Sequence, residues 1–142
     1  MTRYRMTLEY DGRGFVGWQH QKNGLAVQQV LEDAIDIFCG ERPTVFGAGR
    51  TDSGVHAFAQ VAHFDLVRKT DADTVRDAIN AHVRKHLVSV LNVAKATDDF
   101  HARFSAKQRG YVYYITNRRA PLTIGRGLSW WVPVGLDADA MD

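Results

Sequence analysis

Residues Phe46–Leu66 read FGAGRTDSGVHAFAQVAHFDL, a glycine-rich loop between two strand-like runs. The runs, Thr44–Ala48 and Phe58–Leu66, are rich in residues that favour β-structure. The glycines between them let the backbone take positive φ and turn sharply. The loop places an acid, Asp52, two residues from a permanent cation, Arg50. A loop held by a rigid sheet is a common position for chemistry, so we take this one as the first candidate site.

The same residues also suit a plain turn. In Thr-Asp-Ser-Gly the carboxylate of Asp52 can hydrogen-bond its own backbone, and the local composition by itself favours this turn. A longer match points elsewhere. Gly49–Ala57, GRTDSGVHA, resembles the signature of the bacterial A-type tRNA pseudouridine synthases, which modify the anticodon stem-loop. Nine consecutive matching positions are far more specific than a lone glycine pattern.

The composition describes an ordinary globular protein. The 142 residues are 45% hydrophobic and 24% charged, with a net charge of +2, so charge alone does not indicate nucleic acid. The single cysteine, Cys39, allows no internal disulfide, and we expect a cytoplasmic protein. No run approaches the roughly 18 apolar residues of a membrane helix.

The remaining elements follow from hydrophobic periodicity. Arg3–Asp11 alternates as a half-buried strand with Tyr4, Met6, Leu8 and Tyr10 on one side. Val27–Cys39 and a segment from Thr70 or Asp71 to about Lys85 have helical spacing, the second with an inward face that includes His82. Leu87–Ala96 is a fourth strand. The order βαββαβ predicts an α+β, ferredoxin-like domain with an antiparallel sheet.

The loop Gly12–Gly24 carries aromatic and amide side chains. Phe15, Trp18, Gln19 and Gln21 suit stacking and hydrogen bonding to unstacked bases. From composition alone, folding of the two aromatic rings back onto the core is an equal alternative. The family has F-x-G-W-Q-x-Q here, and this resemblance favours an RNA-facing loop. RNA-recognition domains share the βαββαβ order, but the third strand lacks their aromatic signature.

The C-terminal part predicts a second unit. Thr97–Ala106 is expected to be a connector, and its FHARFSA also matches the family. Lys107–Thr116 and Leu128–Val134 are expected to be strands, and Leu136–Asp142 the first turn of a helix. We therefore expect a ferredoxin-like domain over residues 1–97 and the incomplete start of a C-terminal catalytic domain over 98–142.

The resemblance implies the chemistry. Pseudouridine formation breaks the N1–C1′ bond of uridine, rotates the uracil and rejoins it through C5, which implies neither a metal nor a cofactor. Asp52 matches the essential carboxylate, acting as a nucleophile at sugar or base or as a base that forms a glycal. Arg50 matches the neighbouring arginine, which would keep Asp52 ionised or fill the gap left by a flipped base. Tyr111 matches the tyrosine that would stack on the uracil.

The resemblance also implies tRNA as the partner, a homodimer and no membrane. The expected RNA-binding residues are Arg13, Phe15, Trp18, Gln19, Gln21, Lys22, Arg103, Arg109, Arg118 and Arg119. The family has a further active-site segment near its C-terminus that nothing here matches. Two alternatives therefore stay open: a catalytically inactive, truncated RNA-binding fragment, and a hydrolase that uses Asp52 as its nucleophile.

Overall fold

A computed structural model of the chain describes all 142 residues. It divides into two compact units, residues 1–107 and 108–142. The elements of the first unit are β1 (Thr2–Tyr10), α1 (Val27–Cys39), β2 (Phe46–Gly47), β3 (Ala57–Leu66), α2 (Ala72–Val83) and β4 (Val88–Ala96). The second unit contains β5 (Ile115–Asn117), β6 (Trp130–Val132) and a short 3₁₀ helix (Asp139–Met141).

The first unit has the predicted ferredoxin-like topology. Its four strands lie in the order β2-β3-β1-β4, and every neighbouring pair is antiparallel. Each helix therefore connects two strands that another strand separates, which is the split βαβ arrangement. The sheet brings the end of β1 and the start of β3 together, since Tyr10 pairs with Ala57.

Alternation along β1 builds the core. Tyr4, Met6, Leu8 and Tyr10 are each at most 4% exposed, as their spacing predicted. Their partners across β3 include Phe64 opposite Tyr4, with the two rings stacked at 5.8 Å. Apolar residues on α1 and α2 complete this core, which is the usual consequence of placing an amphipathic helix on a half-buried sheet.

The helices begin and end for local reasons. At the start of α1, the amides of Val27 and Gln28 donate to the carbonyls of Gly17 and Trp18, so no side-chain cap is needed. Asp71 caps α2 by accepting from the Thr74 amide at 2.9 Å. The prediction that His82 faces inward was wrong, because α2 turns that side chain to solvent.

Several predicted boundaries differ from the structure. The strand expected over 44–48 is reduced to Phe46–Gly47. The strand expected over 107–116 is only Ile115–Asn117, and it pairs in parallel with Trp130–Val132. Tyrosine and valine alternate before it, but no neighbouring strand pairs with them and they stay exposed. Alternation indicates which way side chains point and cannot supply a partner strand.

The first unit also extends to Lys107, ten residues beyond the expected boundary at 97. The guanidinium of Arg3 makes two hydrogen bonds to the carboxylate of Asp65 at 2.8 Å. Its remaining nitrogen donates to the carbonyls of Asp98 and Phe100, also at 2.8 Å. This fork ties the segment after β4 back onto the sheet, so the segment belongs to the first unit.

Candidate active site

The candidate site is the loop between β2 and β3, residues 48–56. The chain from Gly49 to Asp52 is neither helix nor strand, and residues whose carbonyls are hydrogen-bonded alternate with residues whose side chains are exposed. The carbonyl of Gly49 accepts a hydrogen bond from the Gln60 amide at 2.7 Å, and the carbonyl of Thr51 accepts one from the Trp18 amide at 3.0 Å. Arg50 and Asp52, between and after these anchors, are exposed.

The carboxylate of Asp52 is not used by its own loop. The turn that follows it is closed by backbone groups alone, with the Val55 amide donating to the Asp52 carbonyl at 3.1 Å. Gly54 takes φ of 79°, which permits the chain to turn there. The carboxylate makes no hydrogen bond or ion pair, so the Asx-turn offered as the alternative does not form.

Arg50 and Asp52 do not pair with each other either. The ion pair that we expected to keep Asp52 ionised is therefore not present in the protein by itself. Both side chains are exposed, and an exposed pair would contribute only about 0–1 kcal/mol, too little to hold two flexible groups together. The structure leaves one free anion and one free cation two residues apart on the same loop.

The loop that follows β1 packs against the candidate loop. The carbonyl of Phe15 accepts from the Ser53 hydroxyl at 3.2 Å and from the Gly54 amide at 3.4 Å. Gly17 lies so close that a Cβ added to it would be 2.5 Å from the Thr51 carbonyl. The two loops are therefore packed backbone against backbone.

This packing explains where the predicted RNA-facing rings are. Phe15 is 6% exposed and Trp18 is 2% exposed, so both rings lie in the core, as the alternative interpretation had it. The expectation that they face RNA is corrected, because a buried ring presents no face for a base to stack on. The indole of Trp18 packs over Gly47, where a side chain would collide with it.

The other predicted residues of this loop lie nearer the surface. Gln19 is half-buried, whereas Gln21 and Lys22 are exposed. The amide of Gln21 donates to the Val16 carbonyl at 3.0 Å and so shapes its own loop. Lys22 is the residue of this group best placed for a phosphate.

Arg13 lies in a cluster with Asp11 and His56. Its guanidinium binds the carboxylate of Asp11 and lowers the pKa of that carboxyl to about 2. The Gly12 amide donates to His56 Nδ1 at 2.9 Å, and Asp11 Oδ1 lies 3.2 Å from the same nitrogen. This cluster joins the end of β1 to the far side of the candidate loop, a structural role that the sequence did not reveal.

A second cluster, around His63, was also not predicted from the sequence. His63 lies on the face of β3 opposite Arg5, is 2% exposed, and accepts a hydrogen bond at Nδ1 from the Ala102 amide at 3.0 Å. Its ring stacks on Phe46 at 5.1 Å. Burial, with His101 and Arg3 nearby, lowers the pKa of His63 to about 4. His63 stands among apolar and polar residues in β3, so the strand's sequence contains no signal of this role.

The segment that docks on His63 carries Arg103. This side chain is exposed, and its guanidinium lies 5.7 Å from the centre of the exposed ring of Phe104. A cation beside an aromatic face is suited to a phosphate and an unstacked base. Arg103 therefore remains a candidate for RNA binding.

The remaining predicted residues belong to the second unit. Tyr111 is 72% exposed and precedes β5 without pairing to a strand. The guanidinium of Arg118 donates to the carbonyls of Ala120 and Pro121 at 2.9 Å, so it shapes the turn that follows. Arg109 and Arg119 are exposed.

No set of three or more histidine, cysteine, aspartate or glutamate side chains is arranged to hold a metal ion. None of the helices has the length and apolar character required to cross a bilayer.

Comparison with known proteins then identifies the sequence pattern. The profile of a tRNA pseudouridine synthase family matches residues 6–105. A protein named tRNA pseudouridine synthase A from Parvibaculum lavamentivorans is 57% identical over 141 residues, covering 99% of this chain and 57% of that relative. Proteins of the same name from Brucella ovis and Brucella canis are each 57% identical over 143 residues, with the same coverage. The chain thus spans about 57% of the length of these curated relatives.

Proposed function

The chain belongs to the tRNA pseudouridine synthase family, and from this premise we propose that it isomerises uridine to pseudouridine in the anticodon stem-loop of tRNA. Asp52 is the essential carboxylate in this proposal. The observation that carries it is the unused carboxylate of Asp52, which is exposed on a loop whose backbone is fixed on both sides.

The reaction needs a carboxylate aimed at a nucleoside. The N1–C1′ bond breaks, the uracil turns, C5 bonds to C1′, and the hydrogen from C5 leaves to water while N1 gains a proton. A carboxylate already bound in a turn would have to break those hydrogen bonds before acting. Asp52 has none to break, so an incoming nucleotide is free to become its partner.

Arg50 is proposed as the companion cation. Adjacent free charges of opposite sign suit a substrate that presents both a phosphate and a reacting sugar. When RNA covers the loop and excludes water, the attraction between the guanidinium of Arg50 and the carboxylate of Asp52 strengthens. Tyr111 is proposed to stack on the uracil, on the strength of its match to the family motif.

The proposed tRNA surface uses exposed cations and amides together with the half-buried amide of Gln19. The exposed residues are Arg13, Gln21, Lys22, Arg103, Arg109, Arg118 and Arg119. Since the net charge is only +2, binding must come from where these cations lie rather than from overall charge. We expect affinity to fall steeply as salt concentration rises, because each phosphate contact releases counterions.

Release of tritium from tRNA labelled at C5 of uridine tests the proposed reaction. Forming the C5 glycosidic bond sends that hydrogen to water. The chain should release tritium, Asp52→Asn should release none, and Asp73→Asn should behave as the parent. Asp73 is a matched control because it is an exposed carboxylate on α2. Full release by Asp52→Asn would refute the role of Asp52.

The second candidate function is binding of tRNA without turnover. It is favoured by the coverage, since the chain matches only 57% of the length of the curated relatives and the remaining part of those relatives has no counterpart here. Salt-sensitive tRNA binding by both the parent and Asp52→Asn, with no tritium released by either, would support this function.

We also propose a homodimer in the cytoplasm, where tRNA is found. Light scattering at several protein concentrations tests the dimer.

A further inference from the structure

One polar side chain interrupts the core-facing side of β3. Leu66, Phe64 and Ala62 pair with alternate residues of β1 and lie in the core. The next position on that face, opposite Leu8, is Gln60. A polar group at a core position is normally retained for the hydrogen bonds that it makes. Gln60 directs its amide to the Gly49 carbonyl at 2.7 Å, inside the candidate loop.

A second side chain reaches the same loop from β1. Tyr10 is 4% exposed, and its hydroxyl lies 2.7 Å from the Thr51 hydroxyl. Tyr10 and Thr51 thus hold the loop at one position and Gln60 holds it at another, and we name these three side chains the loop clamp.

The sheet is shaped to bring the loop clamp together. Leu8 pairs with Gln60 but Tyr10 pairs with Ala57, so β3 has one extra residue between these pairs. Such a bulge bends a strand and re-aims its side chains, and bulges are common beside active sites. Here it lies directly where β3 emerges from the candidate loop.

The loop clamp holds the residues on both sides of Arg50. Gly49 is held through its carbonyl and Thr51 through its hydroxyl, while the carbonyl of Thr51 is held by the Trp18 amide. The side chains of Arg50 and Asp52 have no partners of their own. The backbone that carries them therefore sets the position of each Cα atom and the direction of each Cα–Cβ bond.

We propose that Tyr10, Thr51 and Gln60 are positioning residues, which act on the reaction by fixing where Arg50 and Asp52 point. This inference rests on the proposed function. Reacting groups must be held closely in place, and a misplacement of about 1 Å costs on the order of 100-fold in rate. A loosened loop clamp should therefore lower the rate of the chemical step and leave tRNA affinity nearly unchanged.

Four variants test the inference in single-turnover tritium release and tRNA binding. Tyr10→Phe and Thr51→Val remove a hydroxyl without changing shape, and Gln60→Leu removes the amide. We expect each to slow the single-turnover rate at least about tenfold, with the dissociation constant for tRNA within about twofold of the parent. Thr51→Ser keeps the hydroxyl and should recover most of the rate.

Tyr4→Phe is the matched control. Tyr4 is also a buried tyrosine of β1, and its hydroxyl donates to the Thr70 carbonyl at 2.7 Å, outside the candidate loop. The Tyr4→Phe variant loses the same hydroxyl with a comparable effect on folding, and its single-turnover rate should match that of the parent. If Tyr10→Phe and Tyr4→Phe have equal rates, or if Thr51→Ser is as slow as Thr51→Val, the positioning role is refuted.

Hydrogen exchange separates this inference from the proposed function. The amide of Trp18 donates to Thr51 and the amide of Val55 to Asp52, so both report on the loop without any turnover. They should exchange faster in Tyr10→Phe than in Tyr4→Phe. If the parent releases no tritium, the proposed function fails for this chain, and the exchange rates alone decide whether the loop clamp exists. Equal exchange in the two variants overturns it.

Discussion

Acidification from pH 7 to pH 5 should destabilise this protein through His63. Its ring is buried between Phe46 and the segment that carries Ala102, and its Nδ1 accepts the Ala102 amide. Nδ1 therefore has no proton in the folded protein. Protonation would put a charge in a buried place and remove the acceptor for that amide. Burial is the main cause of the lowered pKa of His63, with His101 and Arg3 adding to it and Asp65 opposing.

The magnitude follows from the two pKa values of His63. The ordinary value is 6.5 and the folded value is about 4. Between these values the unfolded chain binds a proton that the folded chain does not, so the free energy of unfolding falls as the pH falls. Above pH 6.5 His63 leaves the free energy of unfolding nearly unchanged, and the loss that it causes grows as the pH falls to about 4. From pH 7 to pH 5 the loss should be about 2 kcal/mol.

Urea unfolding at intervals from pH 7.5 to pH 5 measures this effect. His63→Asn keeps an acceptor for the Ala102 amide but does not titrate, so its stability should decline less by about 2 kcal/mol. His82→Asn is the control, since His82 is exposed on α2. It should follow the parent. Parallel pH profiles for the parent and His63→Asn would refute this account of the burial of His63.

Three further predictions concern packing and anchoring. Gly17→Ala should destabilise the protein by at least about 2 kcal/mol, because φ of Gly17 is 117° and the new Cβ would meet a carbonyl. Gly14→Ala is the control and should cost only about 1 kcal/mol, since φ of Gly14 is 86° but the space around it is open. The urea midpoints of the two variants test this difference. Gln28→Leu leaves the His20 amide and the Val45 carbonyl without the bonds they now make to Gln28, so we expect a loss of about 2 kcal/mol in the same assay, and a neutral result would contradict it. Arg3→Lys loses the planar fork and should speed hydrogen exchange over residues 98–102 while leaving α1 unchanged.

The two free side chains at Arg50 and Asp52 have a common structural origin. The loop's hydrogen bonds are made by Gly49, Thr51 and Ser53, and by backbone groups near them. The side chains of Arg50 and Asp52, between and after these anchors, make no hydrogen bond or ion pair within the protein. This division separates the stability of the loop from its reactivity, so substitution of Asp52 should leave folding almost intact.

Local pattern was enough to predict most of the first unit. Alternation along β1 identified its buried face, and helical spacing gave Val27–Cys39 with the bounds that the structure has. The βαββαβ order then predicted the sheet, because a ferredoxin-like domain is one of the few compact ways to pack it. The position of Asp52 and Arg50 in a loop between two strands also followed from the sequence.

Only the tertiary structure decided which of the predicted residues are available. The sequence did not show that Trp18 and Phe15 are buried, that Gln60 holds Gly49, or that His63 anchors the segment at Ala102. These contacts join residues 11 to 39 positions apart, and periodicity reports only which side of an element a residue faces. Hydrogen-bond partners across such separations depend on register and on the bulge in β3, and both are set when the whole sheet packs.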